Sequence, residues 1–215
     1  MSELGFQQLV SKIASRMRHD LKGGLVTLKM GLESLDDEEG LKPLLLAKAQ
    51  EMVDLSDKLI LLLRMGETKK CGVALTGLVQ HITREITTKY PKLKFACEAP
   101  EMEVRLLVDP DALAYAVLEL AQNALLAGAT QLRTVIHSPE NGQISFVFTD
   151  DAPVGSASTS LELSKCLEFG SSGWDRSGLG LSIVEGFAAA HGGRMEVSRE
   201  EAWRVCLTWP VGEGL

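Results

Sequence analysis

Apolar side chains along residues 5–66 recur at helical spacing. Phe6, Val10, Ile13, Met17, Leu21, Leu28, Leu32 and Leu35 are mostly three, four or seven residues apart. On a helix of about 3.6 residues per turn they share one stripe. The acidic run Asp36-Asp37-Glu38-Glu39-Gly40 breaks the pattern and suits a turn followed by the acidic first turn of a second helix. That helix carries Leu41, Leu45, Met52, Leu55, Leu59, Leu62 and Leu63 on one face, interrupted by Lys48. Two amphipathic helices alone cannot hide both stripes from water. A hairpin of this length pairs with a second copy in a four-helix bundle, so a homodimer through residues 5–66 is expected.

The texture changes after residue 66. A polar stretch, Gly66 to Gly72, reads as a linker over 67–73, so that 1–66 is a helical hairpin and 74–215 a second domain. Leu75, Leu78, Val79, Ile82 and Ile86 form one helical face, ended by Tyr90-Pro91. Leu93, Phe95 and Cys97 alternate as in a strand, and Val104 to Val108 is another. Asp109-Pro110 reads as an N-cap with proline at the first helical position, opening a helix to about Ala127. Strands are expected at Leu132–His137, Ile144–Thr149, Met195–Val197 and Val205–Trp209, and a helix at Leu181–His191, closed by Gly192-Gly193. Strands mixed with helices in a segment of about 140 residues predict an α+β fold, a two-layer α/β sandwich.

Composition narrows the function classes. The 215 residues are 45% hydrophobic and 24% charged, ordinary for a globular protein. Residues 1–70 are charge-balanced, so the whole net charge of −7 falls on residues 71–215. An acidic domain disfavours nonspecific nucleic-acid binding. The longest aliphatic run, Leu59 to Leu63, is far below the ~20 residues needed to cross a bilayer. No basic, then apolar leader opens the chain. Cys71, Cys97, Cys166 and Cys206 lack metal-site spacing and read as reduced, buried thiols. The expected location is the cytoplasm.

His19 lies two residues from Met17 and from Leu21, so it projects away from the apolar stripe. Asp20 follows it, and Arg16, Arg18 and Lys22 crowd the same region. A neutral imidazole is a competent nucleophile, a carboxylate can fix its tautomer and take its proton, and cations can steer a phosphate to it. Gly23-Gly24 inside the helix costs about 1 kcal/mol per glycine. It fits local bending, close approach by another backbone, or a tolerated weak spot.

Farther on, Glu119 and Asn123 are four apart on one helix face, where they suit a shared metal or water, or an ordinary solvated pair. Val117, Leu118, Ala121, Ala124 and Leu125 around them read as core. Gly178-Leu179-Gly180 precedes a helix and can bring backbone N–H groups to a phosphate at the positive helix end, or serve as a flexible entry loop. The polar, Gly-rich stretch Phe169 to Arg176 before it suits a mobile lid. Asp150 and Asp151 follow the strand Phe146-Val147-Phe148, where a carboxylate either accepts a base amine or begins a turn.

Arg18 to Leu25 looks like the H-box of two-component sensor histidine kinases, and the later residues resemble, in family order, the ATP-binding module those kinases share with DNA gyrase B, the Hsp90 chaperones and MutL. The resemblance covers most of the chain. It implies a dimerisation hairpin followed by a sandwich of the histidine-kinase ATPase type, with ATP and Mg²⁺ as cofactors. His19 would accept the γ-phosphoryl group and Asp20 act as base. Glu119 to Asn123 would be the N-box, with Glu119 orienting water or metal and Asn123 holding Mg²⁺. Asp150 would recognise adenine, Phe169 mark the F-box, and Gly178, Leu179 and Gly180 form the G2 box. The implied partner is a response-regulator receiver domain. The chain departs from the family at Gly23 and Gly24, at Leu126 and Ala127, and at Asp150-Asp151-Ala152-Pro153-Val154, which lacks both G1 glycines. Two other readings compete: a histidine phosphotransferase with a degenerate nucleotide domain, and a serine kinase or ATPase-fold switch that restrains a sigma factor.

Overall fold

The computed structural model describes residues 69–153, 179–199 and 203–212 continuously, together with 24, 27, 28, 30, 43–45, 47, 48, 50–52, 55 and 58. His19, Asp20, Gly178, Phe169 and most of the 5–66 hairpin lie outside the described residues. Backbone contacts divide the chain into two units, Met1–Leu63 and Arg64–Leu215.

In the first unit, the described residues on both sides of the acidic run are helical. Leu55, on the expected stripe, is buried, whereas Met30 and Leu44, off it, are exposed. Gly24 is buried, and a Cβ there would come within 2.8 Å of Met52 Sδ. The glycine therefore serves close approach, by a side chain of the second helical segment rather than by its backbone.

The second unit runs β1 (Cys71–Ala74), α1 (Leu75–Lys89), β2 (Lys94–Glu98), β3 (Arg105–Val108), α2 (Pro110–Leu126), β4 (Gln131–Glu140), β5 (Gln143–Asp150), α3 (Gly180–Ala190), β6 (Arg194–Arg199) and β7 (Trp203–Pro210). The expected elements form, and one more appears. Where the sequence suggested the end of a linker, Cys71–Ala74 is a strand paired antiparallel with β3. Its first residue corrects another expectation, because Cys71 is exposed rather than buried. Cys97 is half-buried, and burial, with Glu98 beside it, pushes its thiol up to about 11.

The main sheet has the order β2-β4-β5-β7-β6, with β2 parallel to β4 and every other pair antiparallel. Asn141 and Gly142, both at positive φ, make the tight turn that joins β4 to β5. Alternation sends Leu132, Thr134 and Ile136 of β4, Ile144, Phe146 and Phe148 of β5, and Val205, Leu207 and Trp209 of β7 to the face covered by the helices. Trp209 anchors this core, with its ring centroid 4.7 Å from Phe146 and 5.5 Å from Phe187.

Both site-flanking helices end the same way. At α2, Ala129 N–H bonds Ala124 O and Gly128 N–H bonds Leu125 O. At α3, Gly193 N–H bonds Ala188 O and Gly192 N–H bonds Ala189 O. Gly128 and Gly192 supply the positive φ that this termination demands. Gly193 is constrained differently: a Cβ there would overlap the Thr208 carbonyl oxygen.

Asp109 caps α2, its Oδ1 accepting from Ala112 N at 3.1 Å. Its Oδ2 accepts from Lys69 N at 2.9 Å. Its own N–H donates to His191 Nε2 at 3.1 Å, while His191 Nδ1 is 2.8 Å from Phe187 O. That pairing requires a neutral ring with its proton on Nδ1.

Burial lowers the pKa of His191 below its ordinary 6.5, aided by Lys70 and opposed by the Phe187 carbonyl and Asp109. The unfolded chain therefore takes up a proton first. Stability present above pH 6.5 falls as the pH drops through 6.5 toward the folded value. His191→Ala is expected to lose about 1–3 kcal/mol at neutral pH, because it orphans the Asp109 N–H. It should also flatten the stability profile between about pH 7.5 and 5.5 in urea titrations. An unchanged profile would show that this ring carries no proton linkage.

Candidate functional site

Helix α2 holds Glu119 and Asn123 by its C-terminal half. Glu119 is only 5% exposed, and Asn123 is half-buried. Proline at N1 and the Asp109 cap start the helix, and a run of small and apolar residues from Ala112 to Ala121 seats it against its neighbours. Helix α3 begins beside this pair: a Cβ on Gly180 would lie 3.0 Å from Glu119 Oε2 and 3.3 Å from Asn123 Nδ2. Glycine here lets the α3 backbone come close without displacing either side-chain end. Leu179 is the N-cap, buried and without a side-chain capping bond. The first N–H groups of α3 thus stand at the positive helix end next to an amide and a carboxylate.

Asn123 also lines a cleft with Asp150. The other walls are Leu120 of α2, Leu132 of β4, Phe148 and Thr149 of β5, and Trp203 and Val205 of β7. The expected site residues Glu119, Asn123, Asp150, Leu179 and Gly180 are therefore gathered at one end of the α2–α3 pair. Nothing is described of Gly178, His19 or Asp20. Among the described residues, no cluster of three His, Cys, Asp or Glu side chains is arranged to hold a metal. Asn123, an oxygen donor, is the residue suited to a hydrated hard cation.

The two adjacent aspartates have opposite roles. Asp151 Oδ1 accepts from Thr130 N at 2.7 Å and Gln131 N at 2.8 Å, and its Oδ2 accepts from the Thr130 hydroxyl at 2.6 Å. Desolvation raises its pKa, but those hydrogen bonds outweigh it and hold the carboxyl below its usual range. Asp150 is half-buried, and among the described residues its Oδ1 accepts from Ala152 N, at 3.0 Å. Burial raises its pKa, the Ala152 N–H lowers it and Asp151 raises it, with a net upward shift. A half-buried carboxylate among apolar walls suits a flat heterocycle that donates an amine hydrogen. The nearby helix end suits an anionic tail.

Sequence reading missed Trp203, Thr149 and the apolar walls. Trp203 was within reach, since its spacing of two from Val205, Leu207 and Trp209 puts it on the helix-covered face.

Residues 108–213 match the family described as histidine kinase-, DNA gyrase B- and HSP90-like ATPase. The fold is similar to that of the histidine kinase AdeS of Acinetobacter baumannii, at 15% identity and a TM-score of 0.69 over 91% of this chain and 98% of that one. It is similar to the ATP-binding domain of PrrB from Mycobacterium tuberculosis, at 21% identity and 0.53 over 67% and 99%. It is also similar to the histidine kinase ThkA solved in complex with the response regulator TrrA, at 17% identity and 0.70 over 95% and 61%. No curated protein matches the sequence.

The contrast between the aspartates is measurable. Asp151→Ala should cost about 1–2 kcal/mol in urea denaturation, because it strands two backbone N–H groups and a hydroxyl near the surface. Asp150→Asn should stay within about 0.5 kcal/mol of the parent. Equal losses would mean that both carboxylates are structural.

Proposed function

Because its residues 108–213 match the family described as histidine kinase-, DNA gyrase B- and HSP90-like ATPase, we propose that this chain is a histidine protein kinase core. It autophosphorylates His19 from ATP with Mg²⁺ and passes the phosphoryl group to an aspartate of a response-regulator receiver domain. The observation that carries this reading is the meeting of Asn123 and Asp150 in one cleft, with Gly180 packed on Glu119 and Asn123 at an uncapped helix end.

The residues fit the nucleotide. Asp150 accepts the exocyclic amine of adenine, with Leu132, Phe148 and Val205 as apolar walls. Asn123 supplies a side-chain oxygen to Mg²⁺, a cation that takes few protein ligands, and Glu119 orients water or metal beside it. Backbone N–H groups at Leu179 and Gly180 receive phosphate oxygens. Bound Mg²⁺ neutralises phosphate charge, and the chain's part is positioning. On the hairpin, a neutral His19 nitrogen attacks the γ-phosphorus in line, the bond to ADP breaks, and Asp20 takes the ring proton. Residues 5–66 pair with a second copy, and the receiver docks near His19. Among the described residues no helix is long and apolar enough to cross a membrane. The reading places this chain in the cytoplasm, where receiver domains meet their kinases.

One observation favours the phosphotransferase reading instead. After Asp150 the chain has no glycine until Gly155, and Asp151 is committed to the start of β4. A phosphotransferase would keep His19 and relay phosphate without ATP.

Incubation with γ-labelled ATP and Mg²⁺ should yield acid-labile, alkali-stable label that disappears in His19→Gln. Asn123→Ala should abolish Mg²⁺-dependent nucleotide binding in calorimetry. Absence of label, with acceptance of phosphate from a phosphorylated receiver domain, would replace the kinase by the phosphotransferase. Unchanged affinity in Asn123→Ala would remove that residue from the site.

A further inference from the structure

We propose that the Trp203 indole gates the cleft: it must swing aside before a nucleobase can reach Asp150. The inference rests on the nucleotide reading and adds a control on access to that site.

The β5–β7 register pairs Phe148 with Val205 and Thr149 with Arg204. The next step of the ladder sets Asp150 opposite Trp203, and period-two alternation puts both on the helix-covered face. Side chains directly opposite on neighbouring strands have Cβ atoms about 4.5–5.5 Å apart. On its other side, Asp150 pairs with Leu132. The carboxylate thus lies between a leucine and an indole, and both line the cleft.

The enclosed part of the cleft is small, about 10 Å³, room for about one water molecule, within an open hollow whose unfilled space, its solvent side included, is about 250 Å³. A purine ring does not fit the enclosed part, so a wall has to yield for it to reach full depth. Leu120, Leu132, Phe148 and Val205 are buried in α2 and the sheet and cannot withdraw without opening the core. Asn123 and Asp150 are the polar groups the ligand comes to meet. Thr149 is too small to free much space.

Trp203 differs from all of these. It is half-buried and stands at the first position of β7. Among the described residues it has no aromatic partner, whereas Trp209, three turns of the pleat farther along the same face, is fully buried between Phe146 and Phe187. A half-buried indole can change rotamer without disturbing the sheet, and it is the largest side chain among the described residues that line the cleft.

A gate lowers apparent affinity by the fraction of molecules in which it is open. If the open rotamer is populated at about one part in ten, removing the indole tightens binding about tenfold. Titration calorimetry of ADP with Mg²⁺ into the full chain, as parent, Trp203→Phe and Trp203→Ala, reads this directly. Affinity should rise in that order as the ring shrinks, and Asp150→Asn added to Trp203→Ala should cancel the gain. The phenylalanine variant keeps a ring on the strand and so supplies the comparison even if the alanine variant folds poorly. Affinity that falls in that order would make the indole a stacking platform, and equal affinities would make it inert. Either result overturns the gate and leaves the nucleotide reading intact. Failure of the parent and both variants to bind would remove the nucleotide site itself, and the gate with it.

Discussion

The His191 ring joins the last turn of α3 to the N-cap of α2, accepting the Asp109 N–H on one nitrogen and facing the Phe187 carbonyl with the other. At the opposite end of the same helix pair, Gly180 brings the start of α3 against Glu119 and Asn123. The two helices therefore run antiparallel, fixed at both ends by contacts that tolerate little change. A charged imidazole loses its acceptor nitrogen, and a side chain at Gly180 presses on the amide and the carboxylate. All the geometry of the cleft is referred to this pair: it sets the height of Asn123 over the sheet and the direction in which the first α3 amides point.

The sheet supplies the other half of the site by register. Asp150 ends β5 opposite Leu132, and Asp151, one residue on, turns back to tie down Thr130 and Gln131 at the start of β4. Two neighbouring carboxylates thereby separate in both duty and proton affinity. Hydrogen bonds hold Asp151 ionised, whereas burial makes ionisation of Asp150 harder. The same bonds that satisfy Asp151 anchor the strand that carries Leu132, so Asp150 is positioned by its neighbour rather than by a glycine-rich turn.

The start of the second unit is also tied down. Lys69 N–H bonds the Asp109 carboxylate, and β1 pairs with β3, which leads directly into α2. The end of the polar stretch is thus bound to the helix that bears Glu119 and Asn123, instead of trailing free of it.

Much of this was legible in the residues themselves. Helical periodicity marked α1, α2 and α3, Asp109-Pro110 announced its cap, and Gly192 its helix end, because those signals are local and arise within a few bonds of backbone. Glu119, Asn123, Asp150, Leu179 and Gly180 were singled out chiefly by their resemblance, in order, to the boxes of a nucleotide-binding module, spacing alone being weaker. Short β1 escaped notice because four residues with no strong alternation form a strand only when β3 supplies the hydrogen bonds. The outer ends of β4 and β5 were missed as well, although Asn141-Gly142 carried the turn signal. What tertiary structure alone decided was which aspartate ties down β4, which glycine touches the amide, and that an indole stands across from the carboxylate. Those facts depend on strand register and helix packing between residues about 20 to 60 positions apart, and no local pattern encodes a contact whose partner is that distant along the chain.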